Sequence, residues 1–187
     1  MEEAENGAGL FLCGMFHQKD PFMKNPIVRF GIWSGLLVVV LSFVNWLFVA
    51  KPLGYQASEI FGYLSILVAL LLVFFGVRHV REEVEGGSIS FGKAFGVGLR
   101  ITLFPSIFMF LQTILFFTIW GNDFRAWSEE YFRNAMSAEE YAQFQQQMES
   151  MGDLAGNPFF QGFVMFATVF LIGLIVSLLS AVLLRRK

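Results

Sequence analysis

The sequence is poor in the residues that usually carry chemistry. It has one cysteine, Cys13, so it can form no intrachain disulfide and it shows no paired cysteines of the kind that bind zinc. Its two histidines, His17 and His79, fall outside the long apolar segments, and the interiors of those segments contain no carboxylate. Proton relays and intramembrane hydrolases need ionisable or metal-ligating groups at depth. We therefore expect no enzyme activity and no cofactor or metal, and the same absence weakly disfavours an ion-coupled carrier.

Charge is also scarce. Only 15% of the 187 residues are charged and the net charge is −2, which excludes a broadly basic surface for nucleic acid. The N-terminus is acidic and lacks the basic lead and long apolar core of a secretory signal. Residues 1–22 are predicted to be a weakly ordered tail, because termini without tertiary contacts are often poorly ordered. The alternative is that translation starts at Met23 and not at Met1. Residues 23–187 then form a single membrane domain.

Apolar residues are abundant. Hydrophobic side chains make up 56% of the chain, and Phe alone occurs 24 times. They concentrate in four runs, at Phe30–Ala50, Ile60–Val77, Ala94–Trp120 and Phe159–Leu184. Each run is near or above the roughly 20 residues that carry a helix across about 30 Å of hydrocarbon. The fold class predicted is all-α, a polytopic membrane protein with four transmembrane helices, and the lipid bilayer is its first partner.

The basic residues lie at alternate ends of these runs. Three of the thirteen, Lys51, Arg125 and Arg133, would lie on one side of the membrane, and ten on the other. The ten are Lys19, Lys24, Arg29, Arg78, Arg81, Lys93, Arg100, Arg185, Arg186 and Lys187. Because Lys and Arg near span ends stay on the cytoplasmic side, the pattern predicts that both termini are cytoplasmic.

Small and uncharged polar residues indicate how the helices pack. In lipid, helices associate through close backbone approach and occasional hydrogen bonds. Small residues recur at four-residue spacing in every span: Gly31 and Gly35, Ser65 and Ala69, Gly92 and Gly96, and Gly173, Ser177 and Ala181. We interpret them as contacts within one bundle, with a homodimer seam as the alternative. The polar residues expected to bond between helices are Asn45, Gln112, Thr113 and Thr168.

The third run carries two residues that are unusual in a membrane span. Arg100 lies less than two turns inside the cytoplasmic end, so its side chain can reach the headgroups. A buried functional arginine is the alternative interpretation. Pro105 removes a backbone donor and predicts a kink.

The segment 121–158 is the largest polar feature. It contains seven acidic residues and two arginines. Ser137 and Glu140 form a capping-box pattern at the start of a helix. Apolar residues at helical spacing on both sides of it predict two short amphipathic helices, with stripes formed by Phe124, Trp127 and Tyr131 and by Tyr141, Phe144, Met148 and Met151. These stripes either cap the bundle and lie along the lipid interface or dock another membrane or periplasmic protein, with Trp127 and Tyr141 as candidate interaction residues.

The cytoplasmic hairpin between the second and third runs mixes Arg, Glu and Gly. The paired glycines Gly86 and Gly87 permit a tight turn. The segment lacks the residue spacing of a nucleotide-binding loop. We interpret it as a solvated turn held by ion pairs, with contact to phosphate or anionic lipid through Arg78, Arg81 and Lys93 as the alternative. At the far end of the second run, Glu59 lies one turn from Tyr63. Glu59 is either an interfacial carboxylate or a ligand-binding or gating residue.

Several of these residues also carry a resemblance. The similar residues are Glu59-Ile-Phe-Gly62-Tyr63, then Phe75-Gly76-Val-Arg78, then the hairpin Gly86-Gly87-Ser-Ile-Ser-Phe91-Gly92-Lys93-Ala94-Phe95 with Gly98, then Asn157-Pro158 and Ser177-Leu-Leu-Ser-Ala181. Over residues 23–187 the chain resembles an uncharacterised, domain-of-unknown-function family of four-span membrane proteins common in Bacteroidota. The resemblance implies a bacterial inner-membrane protein and brings no activity, substrate or catalytic residue.

The sequence is compatible with two functions. The first hypothesis is a non-enzymatic accessory or interaction protein of the membrane, based on the missing ionisable groups and the amphipathic loop. The alternative is a small oligomeric transporter or channel, based on the glycine-rich helix faces, Pro105, Asn45 and Gln112. The sequence predicts no catalytic residue for either.

Overall fold

The computed structural model describes residues 25–185, and this part of the chain is all-α. Its helices are α1 (Pro26–Leu53), α2 (Tyr55–Val84), α3 (Phe91–Ala135), α4 (Ala138–Met151) and α5 (Pro158–Leu184). A 3₁₀ turn over Gly152–Gly156 joins α4 to α5. Four of these helices are long and apolar enough to cross a membrane, which confirms the predicted fold class. The predicted N-terminal tail, with Cys13, His17 and Met23, lies outside the described residues.

Two of the long helices contain a widened turn. In α1 the α-helix covers Pro26–Val44, a π-helical turn follows over Asn45–Ala50, and a last α turn covers Lys51–Leu53. In α2 the α-helix of Tyr55–His79 ends in a π-helical turn over Val80–Val84. Single π turns inside α-helices occur often at functional sites. The turn in α1 begins at Asn45, one of the polar residues identified from the sequence.

Two of the spans begin with the same Asn-Pro pair. The Asn25 side chain accepts a hydrogen bond from the Ile27 amide at 3.0 Å, and the Asn157 side chain accepts one from the Phe159 amide at 2.9 Å. The proline that follows each asparagine has no amide hydrogen, so it leaves no donor unsatisfied in the first turn. The start of α5 therefore falls at Asn157-Pro158, one of the motifs quoted for the family resemblance.

Close contacts at small residues fix the helix directions. Gly31 and Gly35 of α1 lie against the rings of Phe104 and Phe108 of α3, so these two helices run parallel. The Ser34 hydroxyl of α1 donates to the Ala69 carbonyl of α2 at 2.7 Å, and Asn45 donates to Ser58 further along, so α1 and α2 are antiparallel.

Among the described helices, α3 and α5 share the most extensive contact. An added Cβ on Gly98 would lie 2.9 Å from the Ser177 Cβ, and one on Gly173 would overlap Thr102. The Thr102 hydroxyl lies 3.4 Å from the Gly173 carbonyl and 3.2 Å from the Ser177 hydroxyl. The predicted packing role of Gly173 and Ser177 is confirmed. These contacts also make α5 antiparallel to α3.

The packing gives the protein a basic end and an acidic end. The basic end is where α1 and α3 begin and α2 and α5 end. The acidic end is the other one, where residues 121–157 lie. Between them the core is formed by fully buried apolar residues, among which are Leu70, Val73, Val77, Ile101 and Val169. Gly76, one of the residues of the family resemblance, also lies in this interior, because an added Cβ there would lie 2.6 Å from the Ile101 side chain.

Some packing predictions were wrong. Gly92 and Gly96 make no close contact, since an added Cβ at either position meets nothing within 4 Å. The Thr168 hydroxyl donates to the Val164 carbonyl of its own helix at 2.9 Å. Gln112 and Thr113 are buried, but within the described residues neither bonds to another helix. Within the interior of the described bundle, bonds between helices come instead from Ser34, Thr102 and Asn45, and only Asn45 was expected to make one. At the basic end, Arg29 of α1 also lies 3.4 Å from the His79 ring nitrogen of α2.

The segment after the third span also differs from the prediction. The first of the two expected short helices does not exist as a separate element, because α3 continues without a break to Ala135. The stripe of Phe124, Trp127 and Tyr131 continues the helix, and its aromatic rings pack against α1 and α2. The second helix, α4, begins at the predicted capping box: the Ser137 hydroxyl accepts from the Glu140 amide at 3.3 Å, and the Glu140 carboxylate accepts from the Ser137 amide at 2.9 Å.

Candidate functional site

A cavity of about 340 Å³ lies among α1, α2, α3 and α5 toward the acidic end. We call it the Glu59 cavity. Its floor is apolar and is formed by Val38, Ile66 and Met109, which are all buried. Its mouth lies between α2 and α5, where Glu59 and Tyr63 are exposed. From Glu59 to Ile66 the cavity extends about 10 Å along α2, at 1.5 Å per residue.

The polar groups of the Glu59 cavity are almost all hydrogen-bond acceptors or hydroxyls. Glu59 is the only carboxylate among its lining residues, and none of them is Lys, Arg or His. Within the described part of the chain, no ion pair neutralises Glu59. The carboxylate therefore gives the mouth of the cavity a negative charge.

Asn45 has one satisfied and one unsatisfied group in this cavity. Its amide nitrogen donates to the Ser58 carbonyl at 2.9 Å, which joins α1 to α2. Its amide oxygen is buried and has no hydrogen-bond partner among the described residues. A buried acceptor without a donor costs free energy, so few native side chains remain in this state. A narrower cavity of about 150 Å³ continues from Asn45 toward Gln112.

Aromatic rings close the acidic end above the cavity. The Trp46 ring lies 5.1 Å from Phe116 and 5.8 Å from Trp127 in edge-to-face contacts. Tyr55 lies 5.6 Å from Trp127 and stacks on Tyr131 at 4.9 Å. Trp127 is thus half-buried between helices, and its observed contacts are structural packing and not an open docking surface. These rings fix the extended part of α3 to α1 and α2.

Residues 121–157 form a projection that we call the acidic hairpin. In it α4 folds back on the end of α3 through Phe144, whose ring lies 4.9 Å from Phe132. The Tyr141 hydroxyl donates to the Glu129 carboxylate at 3.1 Å, so Tyr141 also holds the two helices together. Hydrogen bonds from the Ser137 amide and, second, from its hydroxyl lower the pKa of the fully exposed Glu140 carboxyl below its ordinary value of 4.5.

The basic end contains the charged turn expected from the sequence. Arg78 pairs with Glu82 at 3.0 Å, and Lys93 pairs with Glu85 at 2.6 Å. Gly87 has a φ of 96°, a conformation that favours glycine. The structure therefore agrees with a solvated turn held by ion pairs.

An apolar groove of about 380 Å³ lies beside this turn, and Gly92, Lys93 and Arg100 line it. The Arg100 side chain is exposed, as expected for a residue that reaches the headgroups. Its alternative interpretation as a buried arginine is wrong.

The structure therefore distributes the candidate residues over five places. Glu59 and Tyr63 meet in the cavity, Gln112 lines its narrow continuation, and Gly76 is in the core. The others lie at the two ends: Arg78, Gly87, Gly92, Lys93 and Arg100 at the basic end, and Trp127 and Tyr141 at the acidic end. Sequence reasoning missed Tyr55 and Phe124, which also line the cavity. Among residues 25–185, no three His, Cys, Asp or Glu side chains come together as metal ligands.

Comparison with known proteins adds one match. A family model described as "Protein of unknown function (DUF4199)" matches residues 29–186, which is most of the chain. The chain belongs to the DUF4199 family. The match includes all four long helices, the Glu59 cavity and the acidic hairpin, so these are parts of the region shared with DUF4199. The chain matches no curated protein and no solved structure.

Proposed function

We propose that this DUF4199 protein is a non-enzymatic accessory protein of a bacterial inner membrane that binds another protein through its acidic hairpin. The observation that carries the proposal is the length of α3. Its 45 residues extend about 67 Å, against about 30 Å of hydrocarbon. A large part of α3 therefore projects from the membrane, and α4 folds back on it.

Charge indicates the kind of partner. The acidic hairpin has seven acidic residues and two arginines, a net charge of −5. Exposed apolar side chains accompany these charges at Met148, Met151 and Leu154. A surface of this composition fits a partner that presents a basic patch with apolar residues, because complementary potentials speed encounter and select among partners.

The orientation proposed is that both termini are cytoplasmic and the acidic hairpin is periplasmic. Its support is that basic residues gather at one end of the described bundle, where Arg78, Arg81, Lys93 and Arg100 lie and where α1 begins and α5 ends. A reporter enzyme fused after Lys187 and another inserted at Gly152, in the exposed turn after α4, test it. We expect the two reporters to be active in different compartments, and activity of both in the same compartment would contradict the orientation.

Site-specific photo-crosslinking in native membranes tests the partner. A photoreactive residue at Met148, which is exposed on the acidic hairpin, is expected to give one discrete product. The matched control places the same residue at Val84, which is exposed at the basic end. Replacing Glu139 and Glu149 by lysine should abolish the Met148 product, and high salt should weaken it. A product that survives both changes would contradict an acidic docking surface, and no product at Met148 would contradict the proposal.

A second candidate function, a small oligomeric transporter, has one observation in its favour. The Glu59 cavity and its continuation bring Asn45 and the buried Gln112 to a solvent-sized space inside the helices. Toward the basic end, however, Leu70, Val73 and Val77 are fully buried, so passage needs a second arrangement of the helices. Solute flux in liposomes that Gln112→Leu reduces would favour the transporter. Absence of solute flux, together with no effect of Gln112→Leu in cells, would contradict the transporter function.

A further inference from the structure

The Glu59 cavity has the chemistry of a ligand site, and its charge restricts the ligand. Glu59 is its only charged lining residue. A carboxylate at the mouth of a partly apolar cavity attracts a cation more strongly than it would in bulk water, since the surrounding dielectric is lower. An anion would meet repulsion there and no basic side chain. The charge of this cavity therefore favours a cation as its ligand.

The second observation is the unsatisfied acceptor of Asn45. Its amide oxygen is buried at the cavity and has no partner in the described part of the chain, while its amide nitrogen is held by Ser58. Solvent does not reach this oxygen, so a ligand's N–H group would bond to it after a small local opening of the contact between α1 and α2. Asn45 also begins the π-helical turn of α1, a distortion that often occurs at functional sites.

Aromatic rings supply a third element. Tyr55, Tyr63 and Phe124 line the same cavity from α2 and α3. A cation over the face of such a ring gains about 0.5–1 kcal/mol at an exposed site and more when it is desolvated. Rings combined with one carboxylate recognise organic ammonium ions in particular.

The apolar floor and the size of the cavity favour an organic cation over a metal ion. Val38, Ile66 and Met109 form an apolar floor, which offers no oxygen ligands to a metal ion. No cluster of three ionisable ligands exists among residues 25–185. A volume of about 340 Å³ is near the lower bound for small-molecule pockets, which is about 300 Å³. We propose that the Glu59 cavity binds a small organic ammonium ion whose apolar body lies on this floor, with Glu59, Asn45 and the aromatic rings around the ammonium group.

Three compounds of similar shape and different charge test whether binding requires a positive charge on the ligand. Calorimetry with the purified full-length protein in detergent would use 2-phenylethylammonium, neutral 2-phenylethanol and anionic phenylacetate, each also titrated into detergent alone. We expect the ammonium ion to bind at least tenfold more tightly than the alcohol, and phenylacetate to show no binding. Equal binding of the ammonium ion and the alcohol, or no binding of the ammonium ion, would overturn the proposal.

Variants place the binding in this cavity. Glu59→Gln removes the charge at almost constant shape and should weaken ammonium binding at least tenfold with little effect on the alcohol. The matched control Glu130→Gln makes the same change on the acidic hairpin, where Glu130 is exposed, and should leave binding unchanged. Equal losses in the two variants, or no loss in Glu59→Gln, would overturn the assignment.

The ring contribution has its own pair of variants. Tyr63→Leu should weaken ammonium binding several-fold, whereas Tyr63→Phe, which keeps the ring, should bind within about twofold of the unchanged protein, as expected for a cation–π contact. This pair also carries the test if Glu59→Gln does not purify as a single species. Identical behaviour of the two Tyr63 variants would contradict the role of the ring. None of these results depends on a partner at the acidic hairpin, so this proposal and the proposed function can fail separately.

Discussion

Adding one methyl group at Gly98 tests the contact between α3 and α5. In Gly98→Ala the new Cβ would lie 2.9 Å from the Ser177 Cβ and 3.2 Å from the Ser177 Cα. Carbon atoms in good contact are about 3.5–4.0 Å apart, so the helices must separate by about 0.6 Å or more. A rotamer change cannot relieve this overlap because the Cα belongs to the backbone of α5.

The expected cost follows from this displacement. Inserting a methyl group into a well-packed interior typically costs about 1–3 kcal/mol. Separation of the helices also stretches the 3.2 Å contact between the Thr102 and Ser177 hydroxyls. An interhelical hydrogen bond in a membrane protein contributes about 0.6 kcal/mol on average. We therefore expect Gly98→Ala to lower the free energy of unfolding by about 2 kcal/mol, within the range for overpacked interiors.

Equilibrium unfolding in mixed micelles with increasing dodecyl sulfate, followed by circular dichroism, measures this free energy. Gly96→Ala is the matched control, because it makes the same change two residues away on α3, where an added Cβ meets nothing within 4 Å. Alanine in place of a helical glycine stabilises by about 0.5–1 kcal/mol, so Gly96→Ala should be neutral or slightly stabilising. Ser177→Gly should restore part of the stability lost in Gly98→Ala. Equal effects of the two alanine substitutions would refute the close approach of α3 and α5.

Three further predictions concern single contacts. Ser34→Ala removes the 2.7 Å bond to the Ala69 carbonyl and should destabilise by about 0.6–1.7 kcal/mol in the same unfolding assay; no change would show that the bond contributes nothing. Hydrogen bonds from Ser137 lower the pKa of Glu140, so the stability that they give to α4 is complete above pH 4.5 and is lost as the pH falls through the lowered pKa. Carbon chemical shifts of α4 can follow this loss, and Glu140→Gln should remove the pH dependence. Gly87→Ala places a side chain at a φ of 96° and should cost about 1–2 kcal/mol, seen as faster proteolysis of the turn; an unchanged rate would contradict the strained conformation.

The long helices could be predicted because apolar length is a direct physical requirement of a membrane span. Asn157 and Ser137 could also be predicted as helix starts, since their side chains satisfy amides of the first turn. The continuation of α3 beyond Trp120 was missed because the acidic residues there suggested a loop. A signal for it existed: Trp120, Phe124, Trp127 and Tyr131 follow one another at steps of four, three and four residues, which is one face of a helix.

The cavity could not be predicted in the same way. Its lining comes from four helices, and which side chains meet depends on the rotation of each helix and on the distance between neighbours. Glu59 and Tyr63 were identified because both occur within one turn of α2. The approach of Asn45, from α1, depends on the π-helical turn, which no sequence pattern indicated. The approach of Phe124, from α3, depends on the continuation of that helix, for which the aromatic spacing was the only signal.

Because α3 is one uninterrupted helix, a change in its tilt moves its far end more than its middle. Phe124 lines the cavity at the base of the acidic hairpin, and Ala135 ends the same helix 11 residues further on, about 16 Å away. The 30 residues from Pro105 to Ala135 span about 45 Å, so a tilt of about 10° at Pro105 would displace the tip by about 8 Å. At that tilt Phe124, 19 residues beyond Pro105, would move by about 5 Å, so a displacement beside the cavity would be enlarged about 1.6-fold at the end of α3.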